Sequence, residues 1–149
     1  MPQLSEAGPR DAAALARLHG VSFRRGWSED EFERLLIDRN VTAHRASIDG
    51  KLIGFVISRL IPPEAEILSI AVAASQRGRG LAHRLLDLHL RRLAGLGART
   101  VFLEVDEHNE PARRLYRRFG FADAGRRPGY YQRGDVSGAA ALVLRRDVV

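Results

Sequence analysis

The sequence predicts a single α+β domain, in which helices pack on one mixed β-sheet. Its 149 residues are about the size of one ordinary domain, and 45% hydrophobic with 28% charged residues is typical of a globular chain. No repeat, low-complexity tract or linker divides residues 1–149. The hydropathy pattern changes repeatedly between helical spacing and strict alternation, which predicts the element order α, α, β, β, β, α, β, α, β, β.

The first two predicted elements are helices. In DAAALARLHG, Asp11 is the expected N-cap, apolar residues follow at helical spacing, and Gly20 is expected to end the helix. In WSEDEFERLLIDRN, Ser28 and Glu31 form an S-x-x-E capping box ahead of an apolar stripe. Both segments therefore have an N-capping signal as well as apolar residues at helical spacing.

Strands are expected next, because the pattern changes to alternation. VTAHRASI and KLIGFVISRL flank the turn residues Asp49-Gly50, which predicts a hairpin. Pro62-Pro63 is expected to end its second strand, and AEILSIAVA is predicted to be a third long strand.

Helices and strands then alternate up to a last hairpin. Leucines on one helical face predict a helix from Leu81 that Gly95 and Gly97 end, and RTVFLEV is predicted to be a strand. NEPARRLYRRFG predicts a helix with Asn109 as N-cap and Gly120 as C-cap. FADAGRRPGYY and AAALVLRRDV are predicted to form the final hairpin.

The composition excludes some chemistry and favours polyanionic ligands. The chain has no cysteine, so disulfides, thiolate metal sites and a cysteinyl intermediate are excluded. The five histidines lack metal-ligand spacing; no metal is predicted, and we expect surface or capping positions for them. A net charge of +6 favours nucleic acid, a ribosomal surface or a phosphate-bearing cofactor, although a solvated basic surface gives the same balance. Short apolar runs and no signal-peptide pattern predict a cytoplasmic chain without membrane contact.

The segment SIAVAASQRGRGLAHRLL places a glycine-rich turn between a strand and a helix. Free N–H groups and the helix dipole make such a turn a site for phosphate, and Arg77 and Arg79 add forked donors. Gly78 and Gly80 let the backbone approach the anion. The turn has neither the G-K-[ST] of a P-loop nor the third glycine of a dinucleotide fingerprint. It predicts a site for another pyrophosphate-bearing ligand, or else a tight turn with solvated arginines.

Two motifs resemble those of the GCN-five-related N-acetyltransferase (GNAT) superfamily. Arg77-x-x-Gly80-x-Ala82 is similar to its [RQ]-x-x-G-x-[GA] loop, and NEPARRLYRRFGF is similar to its N-x-x-A-x-x-L-Y-x-x-x-G-F segment. The resemblance implies a mostly antiparallel sheet of about six to seven strands, flanked by four helices and splayed between two central parallel strands. It implies acetyl-coenzyme A (acetyl-CoA) as the co-substrate, bound by Ile70, Ala71, Val72, Arg77, Gly78, Arg79, Gly80, Leu81, Ala82 and Asn109.

A closer resemblance is to the bacterial RimI type, which acetylates the N-terminal alanine of a small-subunit ribosomal protein. GWSEDEF, FLEV, LYRRFGF and RRPGYY are similar to segments of that type, in the same order. The resemblance implies that the partner is the N-terminus of a ribosomal or another protein, with no need for nucleic-acid binding; we expect a monomer or weak dimer. Members commonly carry an acidic residue just before the last strand, where this chain has SGAAALVL.

Direct transfer from a thioester to an amine needs a base for the amine and an acid for the departing thiolate. Glu104 in the strand VFLEV is the candidate base, directly or through water, although its spacing also allows a carboxylate paired with an arginine across the sheet. Tyr116 is the candidate acid, a phenol that stays protonated near neutral pH, unless it only fills the apolar stripe of its helix. The resemblance implies both catalytic roles, and we expect the two residues to share one cleft.

Aromatic rings with polar tips can clamp an extended peptide, so Trp27, Tyr130 and Tyr131 are candidates for holding the acceptor, with Arg126 and Arg127 beside them. The alternative is that the hairpin aromatics pack on one another. Three functions stay open: an N-terminal acetyltransferase, a GNAT enzyme that acts on lysine side chains or small amines, and a basic RNA- or ribosome-binding module.

Overall fold

The protein is described by a computed structural model at residues 1–23, 25–127 and 140–148, and these form a seven-stranded mixed sheet with helices on both faces. The strands are β1 (Gln3–Glu6), β2 (Val41–Ile48), β3 (Lys51–Ile61), β4 (Glu64–Val72), β5 (Thr100–Asp106), β6 (Ala122–Arg127) and β7 (Ala141–Asp147). The helices are α1 (Ala12–Ser22), α2 (Glu29–Ile37), α3 (Leu81–Gly95) and α4 (Glu110–Arg118). The predicted fold class is confirmed.

The strands lie in the order β1-β2-β3-β4-β5-β7-β6. All neighbours are antiparallel except β4 and β5, which are parallel. α3 and its leucine stripe cover one face of the sheet together with α4, and α1 and α2 cover the other. None of the helices in the described part of the chain has the length and apolar character needed to cross a bilayer.

The start of the chain differs from expectation. β1 was not predicted, because QLSE is short and polar; it is a strand through its pairing with β2, from Gln3 opposite Ser47 to Glu6 opposite His44. α1 continues past Gly20 to Ser22, so the glycine does not end it. Asp11 precedes α1 without a capping hydrogen bond from its side chain, which instead accepts from the Gly8 amide at 2.9 Å and from Arg45 at 2.8 Å.

The predicted splay between the parallel strands is present. Only residues 64–67 of β4 pair with β5, opposite residues 100–103, although both strands continue beyond that point. On its other side, β4 has one extra residue, since Ser58 of β3 pairs with Ile67 and Ile57 pairs with Ser69. A bulge of this kind bends a strand and increases its twist. β4 therefore turns away from β5 at Leu68, and a gap opens between the two strand ends.

Contrary to expectation, His19, His44 and His89 are buried. The His44 and His89 Nδ1 atoms lie 2.7 Å apart, and His89 Nε2 lies 2.6 Å from Ser58 Oγ, so α3 meets the sheet through a polar contact inside the core. Burial lowers the pKa of His89 to about 3 and also lowers the pKa of His44. These partners are far apart in sequence, which is why residue spacing did not reveal them.

We expect the free energy of unfolding to fall as the pH drops from 7 to 5. The unfolded chain binds a proton at each histidine near pH 6.5, while His89 in the folded chain has a pKa of about 3. The contribution of the neutral histidine to the free energy of unfolding is fully present above pH 6.5 and is lost as the pH falls towards 3. At pH 5 the loss is about 2 kcal/mol for one such histidine. Urea denaturation at several pH values measures this dependence of the free energy of unfolding on pH. A free energy of unfolding that stays constant from pH 7 to pH 5 would contradict the assignment.

Candidate active site

The gap between β4 and β5 opens into a cleft of about 560 Å³. It is lined by the end of α1, the end of β4, the turn before α3, the first turn of α3, and α4. Most of the predicted cofactor residues line it, namely Ile70, Ala71, Val72, Arg77, Gly78, Gly80, Leu81, Ala82 and Asn109. Arg79 is exposed and is not part of the lining. The structure therefore brings residues from distant parts of the sequence to one cleft.

The glycine-rich turn presents bare backbone to this cleft. Gly78 and Gly80 have φ angles of 77° and 76°, in the left-handed region that glycine adopts without strain, and a Cβ at either would meet no atom within 4 Å. Gly80 is the N-cap of α3, and its carbonyl accepts from Arg84 at 3.1 Å. The amides of residues 78–83 donate no hydrogen bond to any described residue. They lie at the positive end of a helix dipole, where an anion is favoured.

The charge of the cleft also favours an anion. Arg77 and Arg118 are among its lining residues, and no carboxylate from the described residues lines it. Arg77 Nε donates to the Val72 carbonyl at 3.2 Å, so the side chain fastens the turn to the end of β4. That carbonyl is consequently engaged, and only the outer nitrogens of the guanidinium are without a partner in residues 1–23, 25–127 and 140–148.

Asn109 has the helix-capping role expected of it. Its Oδ1 accepts from the Ala112 amide at 3.2 Å, at the start of α4. The side-chain amide nitrogen donates to no described residue. Because Asn109 also lines the cleft, this nitrogen is available to a carbonyl of a bound ligand.

Tyr116 lies on α4 with its ring against Phe121, and it also lines the cleft. It is 5% exposed, and burial raises the pKa of its phenol above the ordinary value. No hydrogen bond joins its hydroxyl to any residue that the structure describes. No hydrogen bond from a described residue therefore lowers the cost of proton transfer from the phenol, and the hydroxyl is a neutral donor at physiological pH. Tyr116 therefore packs in the core and lines the cleft at the same time, and its role as the acid stays a prediction.

Glu104 does not share that cleft. Val101, Leu103 and Val105 of β5 are buried beneath α3 and α4 with Tyr116, so Glu104 points to the opposite face of the sheet. Its carboxylate forms an ion pair with Arg127 of β6, and the side chain keeps 24% exposure. The expectation of one common cleft is therefore wrong, since the two residues lie on opposite faces of the sheet. The arginine pairing that the sequence allowed is present.

The residues predicted to hold the acceptor are placed only in part. Trp27 lines a separate pocket of about 470 Å³ with Leu68, the residue at which β4 turns away. Arg126 pairs with Glu107 at 3.0 Å. Tyr130 and Tyr131 lie outside the described residues. No group of three or more potential metal ligands occurs among the residues that the structure describes.

Sequence reasoning assigned no role at the site to several lining residues, and two of them, Ser22 and Phe23, come from a part of the chain far from the predicted motifs. Both follow Gly20, where the first helix was expected to end, so they were assigned to a connection without a role. The aromatic ring of Phe23 just after a helix was the one signal that could have indicated a wall of the cleft.

The chain matches the Acetyltransferase (GNAT) family over residues 12–121. It belongs to this family. The GNAT chain is accordingly an acetyl-CoA-dependent N-acetyltransferase, and the predicted enzyme class is confirmed. The glycine-rich turn and α4, whose motifs first indicated the family, lie inside the matched region.

Individual relatives support the predicted RimI resemblance of this GNAT chain. It is 34% identical over 136 residues to the putative [ribosomal protein bS18]-alanine N-acetyltransferase of Bacillus subtilis, covering 90% of this chain and 87% of that one. It is 39% identical over 125 residues to N-alpha-acetyltransferase RimI of Mycobacterium tuberculosis, covering 81% and 75%. The crystal structure of the ribosomal-protein-S18-alanine N-acetyltransferase of Escherichia coli superposes with a TM-score of 0.92 at 26% identity, covering 99% and 94%. The GNAT chain spans only 39% of a longer uncharacterized Mycobacterium leprae protein, at 39% identity over 145 residues.

Proposed function

We propose that the chain transfers the acetyl group of acetyl-CoA directly to the N-terminal amine of a protein, with the N-terminal alanine of a ribosomal protein as the acceptor. The observation that carries the proposal is the gap between β4 and β5, which has bare amides and Tyr116 on one side and Glu104 on the opposite face. The relatives from Bacillus subtilis and Escherichia coli, both named for alanine acetylation, support this choice of acceptor.

The cleft fits acetyl-CoA through its own residues. The amides of residues 78–83 and the outer nitrogens of Arg77 would hold the diphosphate. The pantetheine arm would bind as an added strand along the end of β4, near Ile70 and Ala71. There the edge of β4 that faces β5 has no strand from the described residues paired with it. Asn109 would donate its side-chain amide to the same arm.

Acetyl-CoA supplies a thioester acyl group, so the reaction forms a C–N bond to the amine and breaks the C–S bond. The Tyr116 hydroxyl donates a hydrogen bond to the departing sulfur. Because its pKa is raised, the phenol stabilises the thiolate chiefly by this hydrogen bond, and full proton transfer is costly. Glu104, on the acceptor side of the gap, takes the proton that the amine loses, directly or through water. The absence of cysteine from the chain leaves direct transfer without a cysteinyl intermediate.

Glu104→Gln should lower kcat about tenfold at pH 7, with little change in the affinity for acetyl-CoA. The effect is modest because about a tenth of an α-amine with a pKa near 8 is already neutral at that pH. Arg127→Gln is the matched control, since it breaks the same ion pair and keeps the carboxylate. Steady-state kinetics compare the two. An equal loss of kcat in both variants would show that Glu104 acts only through its ion pair with Arg127 and is not the base.

Mass spectrometry of acetylated peptides tests the proposed acceptor. Peptides beginning with alanine, serine or methionine, and one with a blocked N-terminus and an internal lysine, are incubated with enzyme and acetyl-CoA. We expect one acetyl group on the α-amine of the alanine peptide. Exclusive modification of the internal lysine would refute N-terminal acetylation, and no detectable binding of acetyl-CoA in calorimetry would favour a non-catalytic binding module.

A further inference from the structure

The connection between α1 and α2 folds back onto α1 through a stack of rings. The imidazole of His19 lies between two rings of this connection: Phe23, with centroids 4.3 Å apart and planes at 28°, and Trp27, at 4.5 Å and 19°. His19 is 3% exposed. Trp27 in turn contacts Phe32 of α2, with ring centroids 5.3 Å apart. One histidine of α1 thus touches both ends of the connection.

A hydrogen bond fixes the same contact. His19 Nδ1 accepts from the Trp27 backbone amide at 3.0 Å. Because Nδ1 is the acceptor, the ring proton is on Nε2 and the imidazole is neutral. Burial agrees with this state, since it lowers the pKa of His19 to about 4.

A second contact holds the backbone of the connection against α1. A Cβ on Gly26 would lie 2.7 Å from the Gly20 Cα and 3.2 Å from the Gly20 nitrogen. Backbone atoms cannot move aside as a flexible side chain would, so only glycine fits at position 26. The connection is therefore held at two points, by the His19 stack and by this close approach.

The two rings stacked on His19 face different parts of the site. Phe23 lines the cleft that would hold acetyl-CoA, whereas Trp27 lines the pocket beside Leu68, where β4 turns away from β5. The stack joins a wall of the donor cleft to a wall of the pocket next to the gap. A shift of the His19 ring would therefore move Phe23 and Trp27, and with them both walls, at the same time.

We propose that His19 is a positioning residue for the transfer reaction, which holds Phe23 against the acetyl-CoA cleft and Trp27 against the path of the acceptor. The proposal rests on the proposed function, since it assigns the Trp27 pocket to the side from which the acceptor amine approaches. His19 touches neither substrate; it acts through the two rings and the Trp27 amide.

Trp27 is the only tryptophan of the chain, so its fluorescence reports directly on the connection. In His19→Ala, which removes both the ring and the acceptor, acrylamide quenching of Trp27 should rise and its emission should move to longer wavelength. His19→Asn can place an oxygen near the position of Nδ1, and it should restore part of the shielding. Unchanged quenching in His19→Ala would overturn the proposal.

Kinetics with a peptide that begins with alanine separate positioning from simple loss of stability. His19→Ala should raise the acceptor KM about tenfold, as expected when a buried amide loses its hydrogen-bond partner, with kcat within about twofold. His19→Asn should recover part of that KM.

His44→Ala removes a similarly buried histidine between the sheet and α3, and it is the matched control. It should lower stability with no change in the acceptor KM or in Trp27 quenching. Equal changes in both alanine variants would overturn the proposal. If the wild-type enzyme leaves the peptide unmodified, the proposed function fails while the quenching result still decides the role of His19.

Discussion

Replacing Tyr116 with phenylalanine is expected to lower kcat by about 100-fold or more while leaving the affinity for acetyl-CoA nearly unchanged. The substitution removes only the hydroxyl of a side chain that lines the cleft, and this hydroxyl has no hydrogen bond to a described residue. A positioned hydrogen-bond donor to the charge that develops in the transition state contributes about 100-fold or more to kcat. Single-turnover kinetics with saturating acetyl-CoA measure the chemical step directly.

The control for this variant is its stability. The phenylalanine ring keeps the contact with Phe121 and the same core position, so urea denaturation should give the wild-type free energy of unfolding within about 1 kcal/mol. Full activity in Tyr116→Phe would refute the assigned acid. Lost activity together with lost folding would show instead that the hydroxyl serves the structure of α4.

Gly80→Asp is expected to weaken acetyl-CoA binding by about 100-fold or more. Gly80 lines the cleft, and a Cβ there would meet no atom within 4 Å, so a carboxylate has room at this position and would repel a bound diphosphate. Like charges 4 Å apart repel by about 4 kcal/mol at an effective dielectric constant near 20, which exceeds the 100-fold effect. Calorimetry with acetyl-CoA gives the two dissociation constants.

The chain contains a control that matches this substitution in backbone strain. Gly50 has a φ of 77°, nearly that of Gly80, and a Cβ there also meets no atom within 4 Å. Gly50→Asp should therefore lose about the same stability, of the order of 1 to 2 kcal/mol, and bind acetyl-CoA as the wild type does. If both variants bind equally well, the glycine-rich turn does not hold the diphosphate.

The parts of the fold that could be predicted from sequence are those with local causes. The capping box of Ser28 and Glu31 is present, with the Glu31 amide donating to Ser28 Oγ at 3.1 Å, and Asn109 caps α4 as expected. The glycine-rich turn has the bare backbone that its spacing indicated. Each of these features depends on residues within a few positions of one another, so the sequence contains their whole explanation.

The parts that escaped prediction depend on contacts between distant residues. β1 is a strand only because β2 offers it an edge, and His89 is buried with Ser58, 31 residues away. Leu68 is the extra residue of β4 only in one register of pairing with β3, which no local pattern specifies. For the same reason, Glu104 could be placed on a strand but not on the face opposite Tyr116. The roles of the site residues stay predictions.

The most direct test of the central claim is a titration of isotope-labelled protein with acetyl-CoA, followed by the backbone amide resonances of residues 78–83. These amides donate no hydrogen bond to any described residue, so we expect them to shift strongly as they bind the diphosphate, and to shift little with acetyl-pantetheine, which lacks it. Saturation by acetyl-CoA with these resonances unmoved would contradict the claim that this turn holds the co-substrate.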